Sequence, residues 1–362
     1  MKFAFFGSSL VSAYWNGAAT YYRGIIKAMY ERGHQITFYE PDVYDRQKNR
    51  DMDDPYWAKI NVYEPKETAL YSCLEEAQDA DIIIKTSGVG IFDELLEKEV
   101  LNFKLKGKLV FFWDVDAPAT LDRVKENSED YFKILIPQYD MILTYGGGDP
   151  VVNVYKELGA KNCYPIYNAL DPSTHHPVEK EERFTADLAF LGNRLPDREK
   201  RVEEFFLSVA EALPEKTFVL GGNGWQDKPM SPNINYIGHV YTRDHNTLNC
   251  SPTAVLNISR DSMAKYGFSP ATRVFEAAGA GACIITDYWI GIEYFFKPGQ
   301  EILVAKSGEE VKKIIAGLTK EQASIIGAAA YKKVLAKHTY RHRAEELDEI
   351  LANEFSFSNV QA

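Results

Sequence analysis

Between Asn257 and Glu276 the chain reads NISRDSMAKYGFSPATRVFE. Arg260, Lys265 and Arg273 bracket a glycine-containing loop and the start of a helix. Several cations beside free backbone N–H groups suit a phosphate or diphosphate. Glu276 lies three residues beyond Arg273, so both project from roughly the same helix face. Its carboxylate suits the hydroxyls of a sugar. Ser269 is the expected N-cap, with Pro270 in the first helical position. The competing account is a set of unrelated surface charges on an ordinary helix.

Two further stretches carry charge at the end of an apolar run. LGNRLPDREKR (191–201) places Gly192, Arg194 and Arg198 after a strand, with Arg194 preferred over Arg198 as an anion ligand. WDVDAP (113–118) offers Asp114 and Asp116. Two carboxylates are a thin shell for Mg²⁺. They serve equally as a general base towards a hydroxyl, as ligands of acceptor hydroxyls, or as helix caps. Asp116 is the stronger candidate and Asp114 its understudy. GSSLVSAYWNGAATYYRG (7–24) is a long first loop running into a helix near Gly17. It is not a GxGxxG fingerprint. It reads as a loop covering a ligand cleft, with Gly17 allowing close approach, or as a plain surface turn.

These residues need elements to hold them. KFAFFG, QITFYE, DIIIKTS, KLVFFWD, MILTYG and CYPIYN read as strands separated by helical stretches. That alternation predicts a parallel, doubly wound sheet. The pattern breaks at ALDPSTHHPVEKEERFT (169–185), a linker by composition. A second series follows: DLAFLGN, TFVLGG, INYIGHV, TAVLNIS, ACIITD and EILVA. The run AAGAGA after Glu276 lacks bulk and lets its helix lie close to a sheet. Ser307 with Glu310, and Thr319 with Gln322, are expected capping boxes. The domains read as 1–170, a linker 171–185, 186–338, and a last segment 339–362. Two such domains leave a cleft, and ligands bind at the carboxyl ends of strands.

Composition excludes other classes. The chain has 362 residues and a net charge of −11, so as a whole it is not drawn to nucleic acid or anionic lipid. No apolar run approaches the ~18 residues of a membrane span. MKFAFFGSS is a short strand rather than a signal peptide. Cys73, Cys163, Cys250 and Cys283 form no CxxC pair and read as reduced, buried residues of a cytoplasmic protein. The seven histidines show no metal spacing. Neither a GxSxG elbow nor a P-loop is present. Aromatic residues make up 13% of the chain, which suits carbohydrate stacking and core alike.

RVFEAAGAGACIITDYWIGIEYFFKPGQEILV (273–304) resembles the signature of GT-B glycosyltransferases, in particular the CgeB-like group of family 1/4-type enzymes. YNALDPSTHHPV, LTYGGGDPVVNVYKELGA and HTYRHRAEELDEIL resemble their interdomain, preceding and closing segments. The resemblance implies a GT-B fold, with two Rossmann-like domains facing across a cleft. It implies a nucleotide-sugar donor on the second domain, an acceptor on the first, and a last helix crossing back to the N-domain. Glu276 then binds the donor ribose, Arg273 and the amides near Ser269 face the diphosphate, and Arg194 matches a basic residue after the first strand of the second domain. Many retaining relatives carry another glutamate eight residues before the one matched here, where this chain has Phe268.

The sequence thus points to a metal-independent, hexosyltransferase-like enzyme, retaining by resemblance, acting from a nucleotide-diphosphate sugar on a glycan, protein or small-molecule acceptor. No metal or other cofactor is expected. A sugar-nucleotide epimerase on the same fold is the alternative within enzymes, and a non-catalytic two-domain binding protein the alternative outside them.

Overall fold

The computed structural model describes residues 1–355, the side chain of Ser262 excepted. The expected closing segment 339–362 therefore lies outside the described residues from 356 onward. The chain forms two compact units. One comprises residues 1–168 and the C-terminal segment from Tyr340; the other comprises Ala169–Thr339.

The first unit is built on seven parallel strands: β1 (Lys2–Phe6), β2 (Gln35–Pro41), β3 (Lys59–Tyr63), β4 (Ile82–Thr86), β5 (Leu109–Asp114), β6 (Met141–Thr144) and β7 (Cys163–Pro165). Their order is β3-β2-β1-β4-β5-β6-β7. The central strands carry apolar runs because both faces are covered; Ile82, Ile83 and Ile84 are all buried. The helix Ala19–Glu31 ends against Gly33, whose φ of +91° is the left-handed turn of a C′ glycine. The last helix, Tyr340–Glu354, packs on it. Gly24 makes this possible: a β-carbon there would stand 2.1 Å from the Tyr340 ring.

The second unit has six parallel strands: β8 (Leu188–Leu191), β9 (Phe218–Gly221), β10 (Ile234–Gly238), β11 (Ala254–Asn257), β12 (Ile284–Asp287) and β13 (Leu303–Ala305). Their order is β10-β9-β8-β11-β12-β13. Every strand read from the sequence is present. The one missed is β3, KINVY, whose mostly part-exposed residues on an edge give a weak signal. The helix Thr272–Gly279 carries the small-residue run. A β-carbon on Gly279 would stand 2.4 Å from Leu170, and one on Gly327 would stand 2.2 Å from the Gly281 carbonyl. Bulk at either place would push the layers apart. The expected capping box is complete at Thr319 and Gln322. At Ser307 the hydroxyl caps Glu310 N–H, while the Glu310 carboxylate turns to the N–H of Lys306.

Candidate functional site

In the second unit the strand order reverses between β8 and β11, which is where an open parallel sheet opens a ligand crevice. The loops after those strands carry Gly192 with Arg194 and Arg198, and Arg260 with Lys265. The loop after β11 is held by Asp287, buried at the end of β12. Asp287 accepts from the backbone N–H and the hydroxyl of Ser259, each at 3.1 Å, and pairs with Arg201 at 2.5 Å. Burial pushes the Asp287 carboxyl above its ordinary value, with Arg201 working against that. This lock fixes where Arg260 begins its helix, Asp261–Tyr266. Arg260 Nε donates to Asp197 at 2.6 Å. Lys265 is exposed and lies over the ring of Tyr266.

Ser269 is not the N-cap. The helix begins at Thr272 with Ala271 as cap, and the Ser269 hydroxyl donates instead to the Gly267 carbonyl at 2.9 Å. The reason is the backbone before it. Gly267 and Phe268 both have positive φ, and Phe268 N–H donates to the Ile290 carbonyl at 2.6 Å. The segment is drawn into a turn, so Ser269 and Pro270 precede the helix. Arg273 consequently stands in the first turn, at the helix N-terminus.

The arginines divide in an unexpected way. Arg194 is already balanced: it reaches Glu199 at 2.8 Å and Asp227 at 2.9 Å. Those partners hold its charge firmly in place. Arg198 is enclosed instead. One terminal nitrogen donates to the Asn193 carbonyl at 2.7 Å, and its buried Nε has no hydrogen-bond partner. Burial, and then the repulsion of Arg273, lower its guanidinium to about 10. Arg273 is also lowered by burial, with Glu276 the one opposing influence. Gly192 is part of the same arrangement. Its carbonyl accepts from the Trp225 indole at 2.7 Å, and its missing β-carbon leaves room for Arg198.

Two histidines join the site that sequence spacing did not reveal. His175 Nε2 stands 3.8 Å from Glu276 Oε1. His245 is held below its ordinary value by burial; Glu276 opposes that, while Arg273 and His175 reinforce it. Both come from segments distant in the chain, and only the fold brings them to the helix carrying Glu276.

In the first unit Asp114 and Asp116 end β5 as expected, in different environments. Asp114 is fully buried. Its oxygens accept from Asp116 N–H at 3.0 Å and from the Tyr155 hydroxyl at 2.5 Å. That makes Asp114 a support for the turn. Asp116 is only partly buried and occupies the N-cap position of Ala117–Glu126, with no side-chain cap bond. Gly17 is exposed, and a β-carbon there would meet nothing within 4 Å. Nothing in the chain itself demands glycine at that point. Among the described residues no group of three or more His, Cys, Asp or Glu could hold a metal ion. No helix among them is long and apolar enough to cross a membrane.

Comparison with known proteins adds the family context. Residues 198–349 match the family model described as "Glycosyl transferase-like". That span contains Arg198, Arg260, Lys265, Arg273 and Glu276. No curated protein matches the chain. Among solved structures, HepE from Anabaena in complex with UDP and glucose superposes with a TM-score of 0.67 at 12% identity, covering 98% of this chain and 100% of that one. Sucrose-phosphate synthase from Thermosynechococcus elongatus gives 0.67 at 12% identity, covering 99% and 100%. An alpha-glucosyltransferase in complex with UDP-glucose and DNA gives 0.70 at 15% identity, covering 97% and 99%. At these identities the likeness is one of fold, and the fold is GT-B.

Proposed function

We propose that this GT-B chain is a glycosyltransferase that takes a sugar from a nucleotide-diphosphate donor, in the manner of the CgeB-like group. The observation that carries the reading is the pair Arg198 and Arg273. Both are partly buried near the carboxyl ends of the strands, Arg273 in the first turn of its helix, and Arg273 disfavours the charge of Arg198. Asp197, Asp287 and Glu276 offset part of that positive charge, and a diphosphate would offset more. Glu276, on the same helix, suits the ribose hydroxyls. The UDP complexes of HepE and of the alpha-glucosyltransferase support a uridine donor.

In the reaction the acceptor hydroxyl oxygen forms a bond to the anomeric carbon. The bond from that carbon to the diphosphate oxygen breaks, and its electron pair leaves with the nucleoside diphosphate. Arg198, Arg273 and the amides at the start of Thr272–Gly279 offset the charge that develops there. The acceptor proton goes to a base, for which Asp116 is the candidate if the configuration inverts. The family resemblance favours retention. Asp116 then orients the acceptor hydroxyl, and the departing diphosphate takes the proton.

Leaving-group charge is offset here by arginines and backbone dipoles, so the reaction is proposed to need no cation. Transfer should continue in excess EDTA. Loss of turnover restored by Mn²⁺ or Mg²⁺ overturns that part and returns Asp114 and Asp116 to a metal role. A nucleotide-sugar donor supports the reading that the enzyme acts in the cytoplasm.

A further inference from the structure

The strand order of the first unit reverses between β1 and β4, so its ligand crevice opens at the loop after β1. That loop is anchored along its length. Buried Glu40 accepts from Ser9 Oγ at 2.8 Å, from Leu10 N–H at 2.6 Å and from Gln47 at 2.6 Å. Asn16 donates to the carbonyls of Ser9 and Ser12. Ala13 N–H donates to Asp51, which Arg23 holds at 2.6 Å. A loop tied down this heavily ends in an exposed aromatic tip. Trp15 is 82% exposed and Tyr14 44%, their rings edge-to-face at 6.3 Å. Trp15 also has φ +47°, a conformation that bulky residues rarely adopt. A strained, presented indole at a ligand crevice has a binding role as its simplest cause, since it contributes nothing to the core.

The charges around the tip select the partner. Segment 42–54, which ties into this loop, carries Asp42, Asp45, Asp51, Asp53 and Asp54 against Arg46, Lys48 and Arg50. Those cations are committed: Lys48 pairs with Asp45 and Arg50 with Asp54, while Arg46 is buried on the Ser8 and Val89 carbonyls. With Arg23 on Asp51, five carboxylates face four cations, each of them paired or buried, so the aromatic platform has no uncommitted cation among these to draw anionic lipid or nucleic acid. It suits a neutral sugar, whose apolar face stacks on the indole and whose hydroxyls donate to carboxylates.

We propose that Trp15 is the stacking platform for the acceptor, and that this acceptor is a neutral carbohydrate. The assignment rests on the glycosyltransferase reading for its purpose, and on the loop alone for its binding chemistry. The protein is its own reporter. Trp57, Trp113, Trp225 and Trp289 are buried, so Trp15 dominates quenching by acrylamide.

The test titrates the full chain with glucose, galactose, mannose and N-acetylglucosamine and their α- and β-linked dimers. Vesicles of 30% phosphatidylserine in phosphatidylcholine are titrated in parallel. At least one sugar should shield Trp15 saturably, and Trp15→Ala should weaken binding of that sugar by calorimetry about tenfold or more, as removal of an aromatic anchor does. Trp15→Phe should recover part of the loss. Vesicles should leave the emission unchanged. Silence across the sugars, or a blue shift with vesicles, overturns the proposal. Nucleotide-sugar binding measured on the same wild-type sample separates the two readings. Donor bound without any sugar response defeats this inference alone; sugar bound without any donor defeats the proposed activity alone.

Discussion

The guanidinium of Arg198 occupies the space that a side chain at Gly192 would need: a β-carbon there would stand 2.7 Å from its Nη2 and 2.9 Å from the Phe190 ring. The glycine after β8 therefore shapes the arginine pocket. Gly192→Ala should displace the Arg198 guanidinium and press on the buried Phe190 ring, lowering the melting temperature and weakening binding of a nucleotide diphosphate. Arg198→Ala should weaken it about 10–100-fold, the range for losing a hydrogen bond to a charged group. Arg194→Ala, removing a cation already balanced by Glu199 and Asp227, should change it by no more than about threefold. Calorimetry on the three variants checks the ranking, and a larger loss from Arg194→Ala reverses the assignment.

His245 gives the site a pH signature. Its folded pKa lies below the ordinary 6.5, chiefly through burial. Between those two values the unfolded chain binds more protons, so stability rises with pH across that window. The contribution is complete above about pH 6.5 and is lost as the pH falls below it. Thermal unfolding between pH 5 and 7.5 should therefore show a decline on the acid side that His245→Asn flattens. An identical decline in the variant would assign the effect to other groups.

Asp116 separates two mechanisms by magnitude. As a general base, its replacement by Asn should cost about 10²–10⁴-fold in kcat. As an orienting group in a retaining enzyme, the same change should mainly raise the acceptor KM. NMR of the anomeric proton in fresh product identifies which case applies. An inverted product formed at full kcat by Asp116→Asn would remove the residue from the chemistry.

Most of the fold was legible because parallel strands buried on both faces are written as apolar runs, as in DIIIKT and ACIITD. β3 escaped because an edge strand with Lys59 and Asn61 lacks that run. The site was legible only as a neighbourhood. Glu276 and Arg273 share a helix, so spacing alone could pair them. Ser269 was misread because the positive φ of Phe268, a non-glycine residue, leaves no mark in the sequence. That Arg194 is balanced and Arg198 is not was illegible for another reason: which arginine meets Asp227, 33 residues from Arg194, depends on the turn after β9. His175 and His245 have no local signal at all. A lone histidine in a loop reads the same whether or not a fold delivers it to a carboxylate.

The most direct measurement is anion-exchange chromatography of UDP-, GDP-, dTDP- and CDP-sugars after long incubation with the protein, without acceptor, beside Glu276→Ala. A transferase should release a nucleoside diphosphate slowly from at least one donor. Glu276→Ala should bind that donor more weakly by about 1.5–3 kcal/mol, and so release less at limiting concentration. Conversion of a donor into an isomer would make the protein an epimerase, and recovery of every donor unchanged would contradict catalysis altogether.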